Sequence, residues 1–305
     1  MARGLLIIKT LTPTHPGAGT SLGAIDLMLQ REVTTNFPFI QGSSLKGAMR
    51  SHLHSALPDN EKSVLDAVFG PRDAGGSDLS RGALIVSDAS LLFYPVRTLK
   101  GLYALVTCPE VLRRLNMPHI GLKVPDSILT LSDKGKVKTS NSTKSKYAIS
   151  GKVYFEDLNF SVDTISDGDF NWINEKLGLD EGIKSRLFIV HYDVFQYFVE
   201  FSAQVVSRNK IDYDTGTVDK KIGGIWTEEH LPPETYLFSY LEDNGKVVGK
   251  IKVKENNLGK EKDASSFEWV ADKLNNNVIH LGGDETVGKG FAELRFKKLQ
   301  EAKNG

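Results

Sequence analysis

A single cysteine, Cys108, stands in 305 residues. That excludes a disulfide within the chain and any zinc site built from several thiolates. It also suits a reducing cytoplasm. Long apolar runs are missing too. The opening MARGLLIIKTLTPTH holds too short an apolar stretch for a signal peptide, and no later segment is apolar enough to span a bilayer. The expectation is a cytoplasmic chain with no membrane partner. Net charge is absent as well, since 38 basic residues face 38 acidic ones. A whole-surface attraction for nucleic acid is thereby excluded, so any RNA or DNA contact must be a groove or a patch.

Against these absences, the apolar and charged fractions, 40% and 25%, are those of an ordinary globular chain. This length buries a real core without staples. Apolar patterning predicts strands over 4–11, 83–93, 101–107, 152–162, 187–192, 200–208, 236–241, 277–281 and 291–296. It predicts helices over 44–56, 58–69, 109–116, 170–177, 180–183 and 263–275. Residues 72–81 read as a loop on Gly75-Gly76, and 126–150 is polar enough to be partly disordered. Arms around Asp214-Thr215-Gly216 read as a hairpin. Strands come in pairs as often as singly. That favours an α+β fold, a ferredoxin-like antiparallel sheet with helices on one face and large insertions, over a doubly wound parallel sheet.

The richest stretch is PTHPGAGTSLGAIDLMLQREVTTNFPFIQGSSLKGAMR. A glycine-rich loop carries His15 and Asp26. An extended piece over 27–40 follows, and the turn Gln41-Gly42-Ser43-Ser44 opens a helix bearing Lys46 and Arg50. Free N–H groups at a helix start, with basic side chains four apart on one face, suit a phosphate. Ser43, Ser44, Lys46 and Arg50 are therefore the candidate phosphate contacts. Gly47 is unfavourable in a helix by roughly 1 kcal/mol relative to alanine, which suggests a close neighbour there. Asp26 and His15 could be turn residues. Beside a bound phosphate, a carboxylate can hold a metal or take a proton, and histidine can do either.

Other motifs are weaker. LGGDETVGKGF breaks the P-loop spacing because Gly290 follows Lys289, so ATP is not the expected ligand. Gly288-Lys289-Gly290 can still offer amides and a lysine to an RNA phosphate. His52 and His54 fall on different helix faces, which argues against a shared metal. His191 and His280 lie in apolar runs and read as core residues. The stretch DKGKVKTSNSTKSK over 133–146 carries five lysines and reads as a solvated loop, with RNA contact the lesser alternative; Lys220 and Lys221 are further positive points.

Taken in order, HPGAGTSLGAID, QRE, FPFIQGSSLKGAMR, the FG of Phe69-Gly70, IDYDTGTV followed by EEHLPP, and LGGDETVGKG cover nearly the whole chain. The set resembles the RAMP proteins of type III CRISPR effector complexes, and among them the fourth subunit of the type III-B Cmr complex. The resemblance implies one RRM-like domain over 1–305, with an insertion at about 118–186 and a protruding hairpin thumb at about 206–231. It implies partners: guide crRNA, single-stranded target RNA, further copies of the chain and other Cmr subunits. Copies would stack along the guide, each thumb interrupting the neighbour's guide–target duplex at six-nucleotide steps. Asp26 would be the cutting residue, either helping to deprotonate the 2′-OH or holding the metal ion, with Mg²⁺ or Mn²⁺ as cofactor. The target's 2′-OH would attack, leaving a cyclic phosphate and a 5′-OH. His15 would assist, Glu228 or Glu229 would add a second carboxylate from the thumb side, and Ser43, Ser44, Lys46, Arg50, Gly288, Lys289 and Gly290 would grip the guide. A non-catalytic guide-binding subunit is the alternative. A metal-independent guide-processing nuclease of the same fold is a third reading, which the thumb disfavours.

Overall fold

The computed structural model describes residues 2–20, 23–71, 81–218, 224–245, 251–254 and 261–300. Four strands form the centre. Arg3–Thr10 lies between Phe291–Lys298 and Tyr236–Asp243, and Ala89–Arg97 follows on the far side of Tyr236–Asp243. Each neighbouring pair is antiparallel. Helix Gly42–Ala56 lies in the chain between the first central strand and Ala89–Arg97, and helix Ser266–Leu274 between Tyr236–Asp243 and Phe291–Lys298. In chain order the strands stand fourth, first, third, second, which is the ferredoxin-like arrangement. The fold is α+β, as the pairing of strands implies.

Arg3–Thr10 reads as a near-continuous apolar run because Leu5, Leu6, Ile7 and Ile8 are all buried, so both faces of the strand are covered. Helix Gly42–Ala56 buries Leu45, Met49 and Leu53 at helical spacing and exposes Ser43, Ser44, Gly47, Ser51 and Ser55. Helix Ser266–Leu274 starts at a reciprocal cap between Ser265 and Glu268.

Beyond Ala89–Arg97 the sheet continues through Tyr103–Thr107, Leu187–Ile189, Lys136–Thr139, Leu158–Thr164 and Lys152–Phe155. The four central strands form the antiparallel core expected, and outside them the sheet is mixed. Leu187–Ile189 runs parallel to Tyr103–Thr107, and Leu158–Thr164 parallel to Lys136–Thr139. The predicted single strand over 152–162 is a hairpin, reversed at Glu156, which adopts a positive φ of 47°. Its core is aromatic: the Phe155 ring meets Phe188 and Phe198 edge-on.

The lysine-rich segment over 133–146 is ordered: strand Lys136–Thr139 leads into helix Asn141–Tyr147, capped by the Ser140 hydroxyl accepting from the Thr143 N–H. Four of its five lysines serve the chain itself. Lys134 pairs with Asp193, Lys136 with Asp163, and Lys138 and Lys144 donate to the carbonyls of Ser127 and Val162. The structure therefore gives no support to an RNA contact there. Residues 72–80 of the expected loop, with Lys220 and Lys221, lie outside the described residues.

A second, smaller sheet holds the functional segment. Gln204–Asn209 pairs antiparallel with Ile225–His230, the base of the expected thumb. Ile225–His230 then meets Leu27–Leu29 through the parallel pair Glu228 and Leu27, and Leu27–Leu29 pairs with Gly17–Thr20. At the far end of the hairpin Asp212 accepts from the Asp214 and Thr215 N–H groups, and Tyr213 is fully exposed.

Candidate RNA-processing site

The small sheet sets Asp26 beside the hairpin of its own chain. Asp26 immediately precedes Leu27–Leu29, and its Oδ2 accepts from the Thr227 N–H and hydroxyl, both at 2.8 Å. The Asp26 N–H returns a bond to the Thr227 hydroxyl oxygen at 3.1 Å. The side chain is exposed. Thr227's backbone N–H, then its hydroxyl, hold the carboxyl below the usual carboxylate range. Asp26 is thus an open, ionised carboxylate with one oxygen pinned in place.

His15 is fixed from the same strand. Its Nδ1 lies 2.6 Å from the Glu229 carbonyl oxygen, so Nδ1 is the donor there, and in the neutral form of the ring Nε2 is the acceptor nitrogen. Thr227 and Glu229 are two residues apart, so the anchors of Asp26 and His15 stand about 7 Å apart along one strand. Gly17 makes room for the ring, since a Cβ there would lie 2.6 Å from Nε2.

Glu228 and Glu229, expected as further carboxylates for chemistry, are placed otherwise. They are 2% and 3% exposed and point to opposite faces of Ile225–His230. Glu229 accepts from the Leu29 N–H at 3.0 Å and pairs with Arg31. Arg31 in turn donates to the Asn36 carbonyl at 2.9 Å. Glu228 accepts from Arg208 Nη1 at 2.9 and 3.0 Å and from Trp226 Nε1 at 2.6 Å. Neither is an open carboxylate beside Asp26. Both hold the hairpin to its surroundings. His230 is fully buried on the Glu228 face. Burial, then the charges of Lys289 and His15, lower its pKa against the pull of Glu228 and Asp284.

A groove of about 700 Å³ runs from His15 between helix Gly42–Ala56 and the Gly282-Gly283 turn, with Ser44, Gly47 and Ser51 on the helix side. Gly47 is exposed, and nothing stands within 4 Å of where its Cβ would be. The open space at Gly47 belongs to this groove, rather than to a packed neighbour. Ser43 and Ser44 are exposed at the helix start. The first helical N–H, that of Gly42, is already taken by Asp88 Oδ1 at 2.7 Å.

Two of the three expected phosphate-binding cations, Lys46 and Arg50, serve the chain itself. Lys46 Nζ donates to the Leu84 carbonyl at 2.7 Å, and burial followed by the Arg50 charge lowers its pKa. Arg50 donates to the Gly70 carbonyl at 2.6 Å and pairs with Asp66. They tie the helix to the residues around 70 and 84, because an amphipathic helix with a lysine at the edge of its buried face satisfies that lysine on the nearest carbonyl.

The C-terminal glycine turn braces the His15 loop. Gly282 has a φ of +83°, and a Cβ there would meet the His15 carbonyl oxygen at 2.4 Å. The Gly283 and Gly290 N–H groups donate to the carbonyls of His15 and Pro13. Gly288 is exposed and Lys289 half-buried, so the loop keeps an open edge. His280 is not a core residue: it lines the groove, with Nδ1 3.2 Å from the Lys289 carbonyl oxygen. His191 caps a helix, accepting from the Asp193 N–H. Thr227 and Arg31 escaped the reading of the sequence, as no local spacing marks a threonine 201 residues from its aspartate.

The RAMP superfamily model matches residues 7–293. The chain belongs to the RAMP superfamily. Within it, this RAMP protein is 35% identical over 304 residues to the CRISPR system Cmr endoribonuclease Cmr4 of Pyrococcus furiosus, covering 97% of this chain and 96% of that one. It is 27% identical to the CRISPR system CMR subunit Cmr4 of Saccharolobus solfataricus, over 95% and 94% of the two chains. Oligomeric Cmr4 from Pyrococcus furiosus superimposes with a TM-score of 0.69 at 28% identity, covering 99% of this chain and all of that one. The fold also matches a chain of the type III-B Cmr-beta complex bound to cognate target RNA, TM-score 0.72 at 23% identity, over 96% of each. Among the described residues no helix is long and apolar enough to cross a membrane.

Proposed function

We propose that this RAMP protein is the backbone endoribonuclease of a type III-B Cmr complex, binding guide crRNA along a filament of its own copies and cutting complementary target RNA at six-nucleotide intervals. The observation that carries the reading is Asp26: an open, ionised carboxylate held by Thr227 on the strand that also anchors His15. The relation to the Pyrococcus furiosus endoribonuclease supports the same activity here.

In this reading the target's 2′-OH attacks its own phosphate, so the P–O5′ bond breaks and a cyclic phosphate and a 5′-OH result. Asp26 fits a divalent ion, Mg²⁺ or Mn²⁺, of the kind that one carboxylate shares with substrate phosphates. The ion would supply charge neutralisation at the phosphate. The lowered pKa of Asp26 favours a charged, ligand-like role over that of a general base, which works best with a pKa near the operating pH. Nε2 of His15 is the acceptor for the 2′-OH proton. Splayed bases allow the in-line geometry that a continuous duplex forbids, and positioning then supplies much of the acceleration.

The test is metal dependence in a reconstituted complex with complementary RNA. Chelation is expected to stop cutting and Mg²⁺ or Mn²⁺ to restore it. Undiminished cutting in chelator would overturn the metal role. The guide would lie in the groove past Gly47, with Ser43, Ser44 and the Lys289 side chain offering sequence-independent contacts to its phosphates, since the Gly288, Lys289 and Gly290 N–H groups are taken by the carbonyls of Glu285, Asp284 and Pro13. Gly47→Asp puts a carboxylate into that groove and is expected to weaken guide binding by roughly tenfold or more. Lys46→Ala should instead cost about 1–3 kcal/mol of stability through the lost Leu84 contact and leave the salt dependence of guide binding unchanged. Filter binding across a salt series, with thermal melts, separates the two.

A further inference from the structure

Behind the strand that carries Thr227, on its opposite face, lies a second cluster that the cutting reaction does not use. Glu228, His230 and Asp284 bring a carboxylate oxygen, an imidazole nitrogen and a second carboxylate oxygen within 4.8 Å of one another. His230 Nε2 stands 3.6 Å from Glu228 Oε2 and 3.9 Å from Asp284 Oδ2. Ligand atoms about 2.0–2.2 Å from a tetrahedral zinc ion are themselves roughly 3.4 Å apart. The two spacings from His230 need only a small contraction to meet that.

An independent observation points the same way. His230 is fully buried, yet among the described residues neither ring nitrogen has a hydrogen-bond partner. Buried imidazoles rarely go unsatisfied, because an orphaned polar group loses its bonds to water and gains none in exchange. Its Nε2 is aimed between two carboxylates. Those carboxylates are held from behind. Arg208 Nη1 donates to Asp284 Oδ1 at 2.5 Å and to Glu228 Oε1 and Oε2 at 2.9 and 3.0 Å, and Trp226 Nε1 donates to Glu228 Oε1 at 2.6 Å. Such outer donors are what orient ligating carboxylates. Arg208 leaves Asp284 Oδ2 on the histidine side, and the partly exposed Asp284 side chain gives an ion a way in. Asp284 belongs to the glycine turn that braces the His15 loop, whereas Glu228 and His230 belong to the hairpin base.

We propose that Glu228, His230 and Asp284 form a binding site for a divalent transition-metal ion such as Zn²⁺, which clasps the hairpin base to the 282–290 turn. One nitrogen and two oxygen donors suit such an ion better than they suit Mg²⁺. The site is separate from Asp26, and the inference does not rest on the proposed nuclease reading. The ion ties two segments about 55 residues apart in sequence, so its binding energy adds to the stability of the folded chain.

The full-length protein, stripped by dialysis against a chelator, is titrated with Zn²⁺ by calorimetry, and its melting temperature is followed in parallel. One equivalent is expected to bind and to raise the melting temperature. Asp284→Asn, at the rim, and His230→Gln, in the core, should each weaken binding by at least about tenfold. Circular dichroism checks that each variant is folded, and Asp284→Asn keeps the test open should His230→Gln not fold. Asp26→Asn should bind Zn²⁺ as wild type does. Absence of stoichiometric binding, or wild-type affinity in Asp284→Asn, overturns the site; so does loss of binding in His52→Ala with retention in Asp284→Asn.

Discussion

Asparagine at position 26 should lower target-RNA cleavage by about 10²–10⁴-fold while leaving guide retention intact. Asparagine keeps the size of the side chain and an oxygen to accept from Thr227, but it removes the negative charge. The carboxylate is exposed, so the fold does not depend on its charge, and rate and assembly are separable. Single-turnover cleavage by reconstituted complex, with the guide content of the purified particle as control, gives both numbers. Cleavage at the wild-type rate would remove Asp26 from the chemistry. A companion variant probes how Asp26 is held. Thr227→Val keeps the backbone N–H, the larger cause of the lowered pKa, and deletes the hydroxyl. The carboxyl pKa then rises, so the acid limb of the pH–rate profile should move to higher pH. Thr227→Ser should restore it.

The second large effect concerns Glu229. Its side chain is 4% exposed and its partner Arg31 10%, and it also accepts from the Leu29 N–H. Glu229→Ala leaves a guanidinium and a backbone donor buried without their acceptor. Breaking a buried pair from one side costs about 3–5 kcal/mol, several times the loss from an exposed pair. Denaturant titration should show a loss of that size. Because Glu229 joins Ile225–His230 to Leu27–Leu29, cleavage should fall as well, even though Glu229 touches no reacting atom. A loss below about 1 kcal/mol would mean that the pair does not hold the hairpin.

Much of the fold was legible because the central strands and helices obey simple periods. Leu5–Ile8 within Arg3–Thr10 and Tyr236–Phe238 within Tyr236–Asp243 are unbroken apolar runs, being buried on both sides. Helix Tyr192–Phe201 was missed: strands were expected over 187–192 and 200–208 with no element between, because aromatic and β-branched residues are weak helix formers, yet Val194, Phe195, Phe198 and Val199 bury one helical face. The lysine-rich segment read as a loop because its lysines find carboxylates and carbonyls that lie far off in sequence. Long-range pairing of that kind leaves no local trace.

The site divides in the same way. Asp26 and His15 stood out through their glycine-rich surroundings and the family resemblance. Lys46 and Arg50 are at the right spacing for a phosphate, but Leu84, Gly70 and Asp66 reach them first. From the family resemblance, Glu228 or Glu229 is expected to add a second carboxylate from the thumb side. Their burial follows from Arg208 and Arg31, residues whose partnership only the folded chain creates. Thr227, which holds Asp26, carries no signal in the sequence at all.

Mapping the ends of target RNA cut by the wild-type complex tests the proposed reaction most directly. Cuts six nucleotides apart, each leaving a 2′,3′-cyclic phosphate on one fragment and a 5′-OH on the other, are the expected result. Intact RNA, or fragments ending in 3′-OH and 5′-phosphate, would contradict attack by the target's own 2′-OH beside Asp26.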